Sequence, residues 1–192
     1  MDLAFTEEQN LLRDSVRKFV DSQYAISGRN KLSASAAGFS RDYWQQYAEL
    51  GWLALPFSEA DGGIGGTPVD TMVLMEEFGR GLVLEPYLAT VVMFGSAISM
   101  AGNEAQRAEL LPAIMDGSLM ASFAYAEAQS HHDLHNIETS AAADGDGYLI
   151  NGEKCVVLNG QSAGTLLVST RTSGTSQAHT GITLFIVDAA AS

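Results

Sequence analysis

Residues 144–160 read Asp-Gly-Asp-Gly-Tyr-Leu-Ile-Asn-Gly-Glu-Lys-Cys-Val-Val-Leu-Asn-Gly, and this stretch decides the fold of the second half of the chain. Asp144-Gly145-Asp146-Gly147 and Asn151-Gly152 are turn sequences, because glycine reaches the left-handed backbone angles that tight hairpin turns require. The apolar runs around them are short and rich in β-branched and aromatic residues. Strands are expected over 120–125, 139–143, 148–150, 155–158, 165–170 and 182–187, forming an antiparallel sheet from residue 118 onward. About five strands drawn from so short a stretch leave little to cover the edges of a sheet, so the expectation is an incomplete β domain that needs further structure around it.

Upstream of Gly117 the signals are helical. In Thr6-Glu7-Glu8-Gln9 the threonine hydroxyl and the glutamine amide can satisfy each other's backbone donors, so a helix starts there, with Leu12, Val16, Phe19 and Val20 on its apolar side. Residues 27–39 are rich in Ser, Ala and Gly and read as a loop. Ser40 then caps a helix carrying Tyr43, Trp44, Tyr47 and Leu50, which Gly51 ends. Thr67-Pro68 is a capping hydroxyl before a first-turn proline, and the helix it opens runs towards Gly79. Residues 87–101 are apolar nearly all round, as in a helix buried within a bundle, and Asn103 to Gln106 opens a last helix closing at Pro112. The fold class is therefore α+β, with an all-α helical bundle over 1–117 followed by an antiparallel β domain over 118–192.

The 192-residue chain holds 23 Asp plus Glu against 10 Lys plus Arg, a net charge of -13 that repels a polyphosphate backbone and argues against nucleic acid as a partner. One cysteine, Cys155, excludes an internal disulfide and suits a reducing compartment, with the cytoplasm as the default. The first ten residues carry acids and no basic segment of the secretory kind, and the most apolar stretch, 88–101, falls short of the roughly 20 residues a membrane span needs.

Several clusters could carry chemistry. Asp61-Gly62-Gly63-Ile64-Gly65-Gly66 permits close backbone approach, but it lacks the Lys-Ser/Thr ending of a phosphate loop and a preceding long strand. His131-His132-Asp133-Leu134-His135 offers nitrogen and oxygen ligands for zinc, nickel or copper, or else forms a polar exposed loop. Cys155 sits in an apolar run that suits a buried neutral thiol rather than a nucleophile. Glu127 stands near the end of a strand, either as an acid or base or as a carboxylate capping a neighbouring loop.

In order, these pieces resemble the flavin-dependent acyl-CoA dehydrogenases: the helical half, Leu53-Ala54-Leu55-Pro56 with the glycine run, Phe123-Ala124-Tyr125-Ala126-Glu127, then residues 145–154 and Asn159-Gly160. Gly81-Leu82-Val83-Leu84-Glu85-Pro86-Tyr87 is most similar to members that work as heteromers in bacterial degradation of fatty, dicarboxylic or steroid side-chain thioesters. The resemblance implies FAD as cofactor, an acyl-CoA substrate, an electron-transfer acceptor, and assembly with a second subunit of its own or another kind. It implies α,β-dehydrogenation, in which a carboxylate takes the α-proton while the β-hydrogen leaves as hydride. That carboxylate belongs to a C-terminal four-helix domain without counterpart here, so no catalytic residue is assigned in this chain.

By the same resemblance Tyr125, Ala126, His132, Val156 and Leu158 occupy cofactor-binding positions, and His131 and Asp133 substrate-binding ones. Several depart from the family pattern: Ala126 replaces a threonine, Val156 a tryptophan, Leu158 a hydroxyl residue, and His131-His132 a Gly-Ser pair. The missing hydroxyl removes a hydrogen bond of about 0.5–1.5 kcal/mol and the missing ring a similar amount, weakening flavin binding roughly ten- to a hundredfold. The expected function is a dehydrogenase subunit with a degraded flavin site. The alternatives are a non-catalytic partner subunit and a metal-binding module through His131, His132 and His135.

Overall fold

The structure, a computed structural model, describes residues 4–191. Its helices are α1 (Glu7–Gln23), α2 (Ile26–Ser33), α3 (Arg41–Glu49), α4 (Pro68–Gly81), a π-helix (Leu88–Gly95), α5 (Ser96–Ala101) and α6 (Glu104–Met115). Its strands are β1 (Ala121–Ala124), β2 (Ser140–Asp144), β3 (Gly147–Asn151), β4 (Thr165–Arg171) and β5 (Ile182–Asp188). The chain packs as two compact units, one of residues 4–87 with 95–118, the other of residues 88–94 with 119–191.

The helix starts form as their local chemistry dictates. At α1 the Thr6 N–H donates to Gln9 Oε1 at 3.0 Å while the Gln9 N–H donates to Thr6 Oγ1 at 3.2 Å. Reciprocal caps also open α4 at Thr67 and Asp70 and α6 at Asn103 and Gln106. Two expectations change. Residues 26–33 form α2 where a loop was expected, although no side chain caps it at Ala25; Arg29 fastens it by donating to the Leu82 carbonyl at 2.8 Å. α6 does not stop at Pro112 but runs on to Met115, the proline lying inside it.

The core of the helical unit is aromatic. The Tyr47 ring stacks on Phe78 at 5.0 Å and tilts against Trp52 at 5.1 Å, while Phe19 meets Tyr43, Tyr47 and Trp52 edge-on. Into this cluster the fold places Glu85, which is 6% exposed. Its carboxylate accepts from the Ser40 N–H at 3.0 Å and from the Tyr47 hydroxyl at 3.3 Å, tying the 84–87 turn to the start of α3. On the opposite side of α4, Glu77 is buried and bridges Arg17 of α1 and Arg80.

The glycine run folds back on residues 54–58. The N–H groups of Gly63, Ile64, Gly65 and Gly66 donate to Ser58, Ala54, Phe57 and Leu55, so none is left to cradle a phosphate. Gly63 is required by space, because a Cβ there would stand 2.2 Å from the Phe57 carbonyl oxygen. Gly63→Ala is expected to lower the unfolding free energy by about 2–3 kcal/mol, since backbone rather than a flexible side chain must move. A urea melt monitored by tryptophan fluorescence measures it.

The sheet of the second unit is mixed rather than wholly antiparallel. β2 and β3 form the expected hairpin, Ala142 opposite Leu149, with Gly145 at φ 59° in the turn. β4 pairs antiparallel with β5 but parallel with β1, Phe123 opposite Leu167, and it touches β2 in parallel at Ser140 and Arg171. Residues 155–158, expected as a strand, are irregular, and Val156 has φ 50°. The π-helix, part of the apolar run expected to be one bundle helix, packs in this unit, where the buried Thr90 hydroxyl donates to the Ala121 carbonyl at 2.9 Å and accepts from its N–H at 3.2 Å. Among the described residues no helix is long and apolar enough to cross a membrane.

Candidate functional site

An apolar cavity of about 680 Å³ opens in the β unit. Such a volume lies within the range of small-molecule sites, roughly 300–1,000 Å³. Five of the residues expected at a site line it: Tyr125, Ala126, His131, His132 and Val156. Its remaining walls come from residues the sequence did not single out. Met93 arrives from the π-helix, Phe123 from β1, Leu134 and Ile137 from the loop before β2, Ser169 from β4, and Ile182 and Leu184 from β5. The alternation in β5, with Ile182 and Leu184 on one face and Phe185 turned to Tyr148 on the other, could have identified that wall.

Two expected residues stand outside the lining. Leu158 is 43% exposed, and its carbonyl accepts from Ser122 Oγ at 2.8 Å. Asp133 accepts from the His135 N–H at 2.9 Å, and that backbone bond, with His135 and His179 nearby, holds its carboxyl below the usual range. The histidines separate as well: His131 and His132 face the cavity, whereas the His135 ring lies 4.1 Å from that of His179. Among the described residues no group of three or more His, Cys, Asp or Glu is arranged to hold a metal, so the structure gives the histidine-ligand reading no support.

Glu127 resolves to a structural carboxylate. It is 4% exposed and accepts from the N–H groups of Glu138 at 2.7 Å and Thr139 at 3.1 Å, from Gln129 Nε2 at 2.6 Å and from Lys154 Nζ at 2.6 Å. Burial alone would raise its pKa, but these donors outweigh burial and hold it down to about 2. Lys154 is lowered by burial and supported by the same pairing, and its ammonium also donates to Ser169 Oγ at 2.9 Å.

Behind the loops that shape the cavity lies Arg171, 8% exposed. Its guanidinium donates to four carbonyls: His135 at 2.6 Å, Ser176 at 2.8 Å, Ala178 at 3.0 Å and Thr180 at 2.7 Å. Lys154 and Arg171 are the only Lys or Arg after residue 118, and both turn inward.

Residues 6–118 match the acyl-CoA dehydrogenase N-terminal domain and residues 122–192 the middle domain of the same proteins. The chain belongs to the acyl-CoA dehydrogenase family. It is 30% identical over 171 residues to a probable acyl-CoA dehydrogenase, YngJ, of Bacillus subtilis, covering 88% of this chain and 44% of that protein. It is 27% identical to acyl-CoA dehydrogenase FadE29 of Mycobacterium tuberculosis, covering 98% of this chain and 49% of the relative. Among solved structures it is similar to the ChsE4-ChsE5 complex of M. tuberculosis, with a TM-score of 0.87 and 30% identity over 100% of this chain and 49% of the other. The Tcur3481-Tcur3483 steroid ACAD G363A variant gives 0.84 and 31% over 96% and 48%. The chain thus spans about half the length of the relatives it matches.

The cavity fits a flat, largely apolar ring in size and lining. The residues that would hold it are Tyr125, Ala126, His132 and Val156, yet Ala126 carries no hydroxyl and Val156 no aromatic face. The polar side chains left in the lining are those of Tyr125, His131, His132 and Ser169.

Proposed function

We propose that this chain forms the helical and β units of an acyl-CoA dehydrogenase subunit that works in a heteromer, and that its own flavin site is weak or shared with the partner. The observation that supports this reading is the cavity, lined by Ala126 and Val156 where the family resemblance assigns a hydroxyl and an aromatic ring to the cofactor. FAD bound there would supply the hydride acceptor for thioester oxidation. The chain's residues supply an apolar wall through Met93, Phe123 and Leu184 and present imidazoles at His131 and His132 to a polar part of the ligand. The α-proton acceptor would come from residues other than these. Similarity to two-component assemblies, one described as a steroid ACAD, supports a heteromer and makes a bulky acyl thioester such as a steroid side chain the favoured substrate class. The half-buried lone thiol of Cys155 accords with a cytoplasmic setting.

Co-expression with flavin-retaining acyl-CoA dehydrogenase subunits tests the proposal. Flavin absorbance set against protein content is expected to give fewer than one FAD per copy of this chain. One tightly held flavin for every copy, contacting Ala126 and Val156, would reject it and favour an ordinary homo-oligomeric dehydrogenase.

A further inference from the structure

Val156 is the most unusual backbone position in the cavity. Its φ is 50°, and the residue is 78% exposed while lining the cavity. A β-branched residue in the left-handed region is uncommon, because its Cβ substituents crowd the following carbonyl, and it persists only where neighbouring structure over-determines it. His131 shares a positive φ, but histidine tolerates that region more readily.

The over-determination is visible on the N-terminal side of Val156. Gly152 lies so close to Thr139 that a Cβ would stand 2.6 Å from the Thr139 Cα. Lys154 Nζ is anchored to Glu127 Oε1 at 2.6 Å and Ser169 Oγ at 2.9 Å, and Ser169 in turn reaches the Tyr125 carbonyl at 3.4 Å. The Cys155 N–H donates to the Ala126 carbonyl at 2.9 Å. Gly152 is therefore held against Thr139, and Lys154 and Cys155 against the segment that forms the cavity floor, so the chain enters Val156 from a fixed direction. Glu127 is itself fixed by two backbone N–H groups and so cannot follow the lysine if the loop moves.

We propose that Glu127 and Lys154 are a positioning pair, which holds Val156 in its left-handed conformation at the mouth of the apolar cavity so that its side chain meets the ligand. The pair touches no reacting group and acts through Val156 and the Tyr125–Ala126 floor. The ligand named is the flavin ring, so the affinity arm of the test rests on the function proposed above, whereas the conformational arm does not.

The test uses the full chain carrying Glu127→Gln together with Lys154→Met, a combination that leaves no lone buried charge. The backbone signature of Val156, its 13Cα shift and HN–Hα coupling, is expected to leave the left-handed range. FAD affinity by fluorescence titration is expected to fall about tenfold. Tyr148→Ala, which removes a ring contact to Phe185 outside the cavity, serves as the control for general loss of stability and is expected to keep both signals. Val156 retaining its left-handed signature in the double variant overturns the proposal, as does an equal loss in the control. Should the double variant not fold, Lys154→Gln alone breaks the pair while Glu127 keeps its donors from Glu138, Thr139 and Gln129, and an unchanged Val156 signature there overturns the proposal equally. Absence of FAD binding in the unmodified chain would accord with a flavin site shared with the partner, and the Val156 backbone signature would then decide the positioning role alone.

Discussion

Arg171→Met is expected to cost about 4 kcal/mol of unfolding free energy and to loosen the loops at 133–137 and 172–181 together. Opposing effects must be weighed to reach that figure. The buried guanidinium has no carboxylate partner among the described residues, so removing its charge recovers part of a desolvation penalty. Its four acceptors, however, are main-chain carbonyls of His135, Ser176, Ala178 and Thr180, which no substitution can delete. A fully buried acceptor left without a donor costs about 1–3 kcal/mol, and four part-buried ones lose a fraction of that each. The acceptors win. Arg171→Lys is expected to rescue little, because a compact ammonium with three donors cannot span four carbonyls that a planar fork reaches at once. Urea unfolding reports the stability, and limited proteolysis within 172–181 reports the loosening; a loss below about 1 kcal/mol for Arg171→Met would contradict the account.

Glu85→Gln is expected to stabilise the helical unit at alkaline pH and to flatten its pH dependence. Burial pushes the Glu85 carboxyl up to about 7, against the lowering influence of the Ser40 N–H and neighbouring backbone donors. Because the folded state favours the protonated form, the stability Glu85 contributes is fully present below its ordinary value near 4.5 and is lost as pH rises through about 7. A difference of that size corresponds to about 3 kcal/mol lost by pH 8. Tyr47 stays neutral, since burial pushes its phenol up as well, and it remains a donor to the carboxyl. Glutamine keeps an acceptor for Ser40 without a charge to bury. Chemical denaturation at pH 5 and pH 8 should show the unmodified protein weakening over the interval and the variant holding level. Parallel curves would mean that water reaches Glu85 and discharges the penalty.

The contrast between what was and was not legible in the sequence follows the range of the interactions. Thr6 with Gln9, Thr67 with Pro68 and Asp70, and Asn103 with Gln106 fix helix starts within one turn, so their spacing is enough. The 144–147 turn is equally local. The run Cys155-Val156-Val157-Leu158 has the composition of a strand, but anchors 15 to 27 residues away on Glu127 and Ser169 take Lys154 out of any ladder, and tertiary contact overrides β preference. α2 escaped notice because neither cap nor apolar stripe marks it. The cavity was half legible: Tyr125, Ala126, His131, His132 and Val156 followed from family resemblance, while Met93, Leu134 and Ile182 depend on how the π-helix and two loops fold. The parallel pairing of β1 with β4 likewise has no local signature.

That Lys154 and Arg171 both point into the protein has an electrostatic consequence for coenzyme capture. Between residues 119 and 191 acidic side chains face water with no lysine or arginine among them to offset their field. A polyphosphate group approaching this unit is repelled from afar and can be retained only at contact range, by peptide dipoles or by cationic side chains from outside residues 119–191. At long range the field of the β unit is therefore negative, and an anion that settles on it must be held by groups in direct contact.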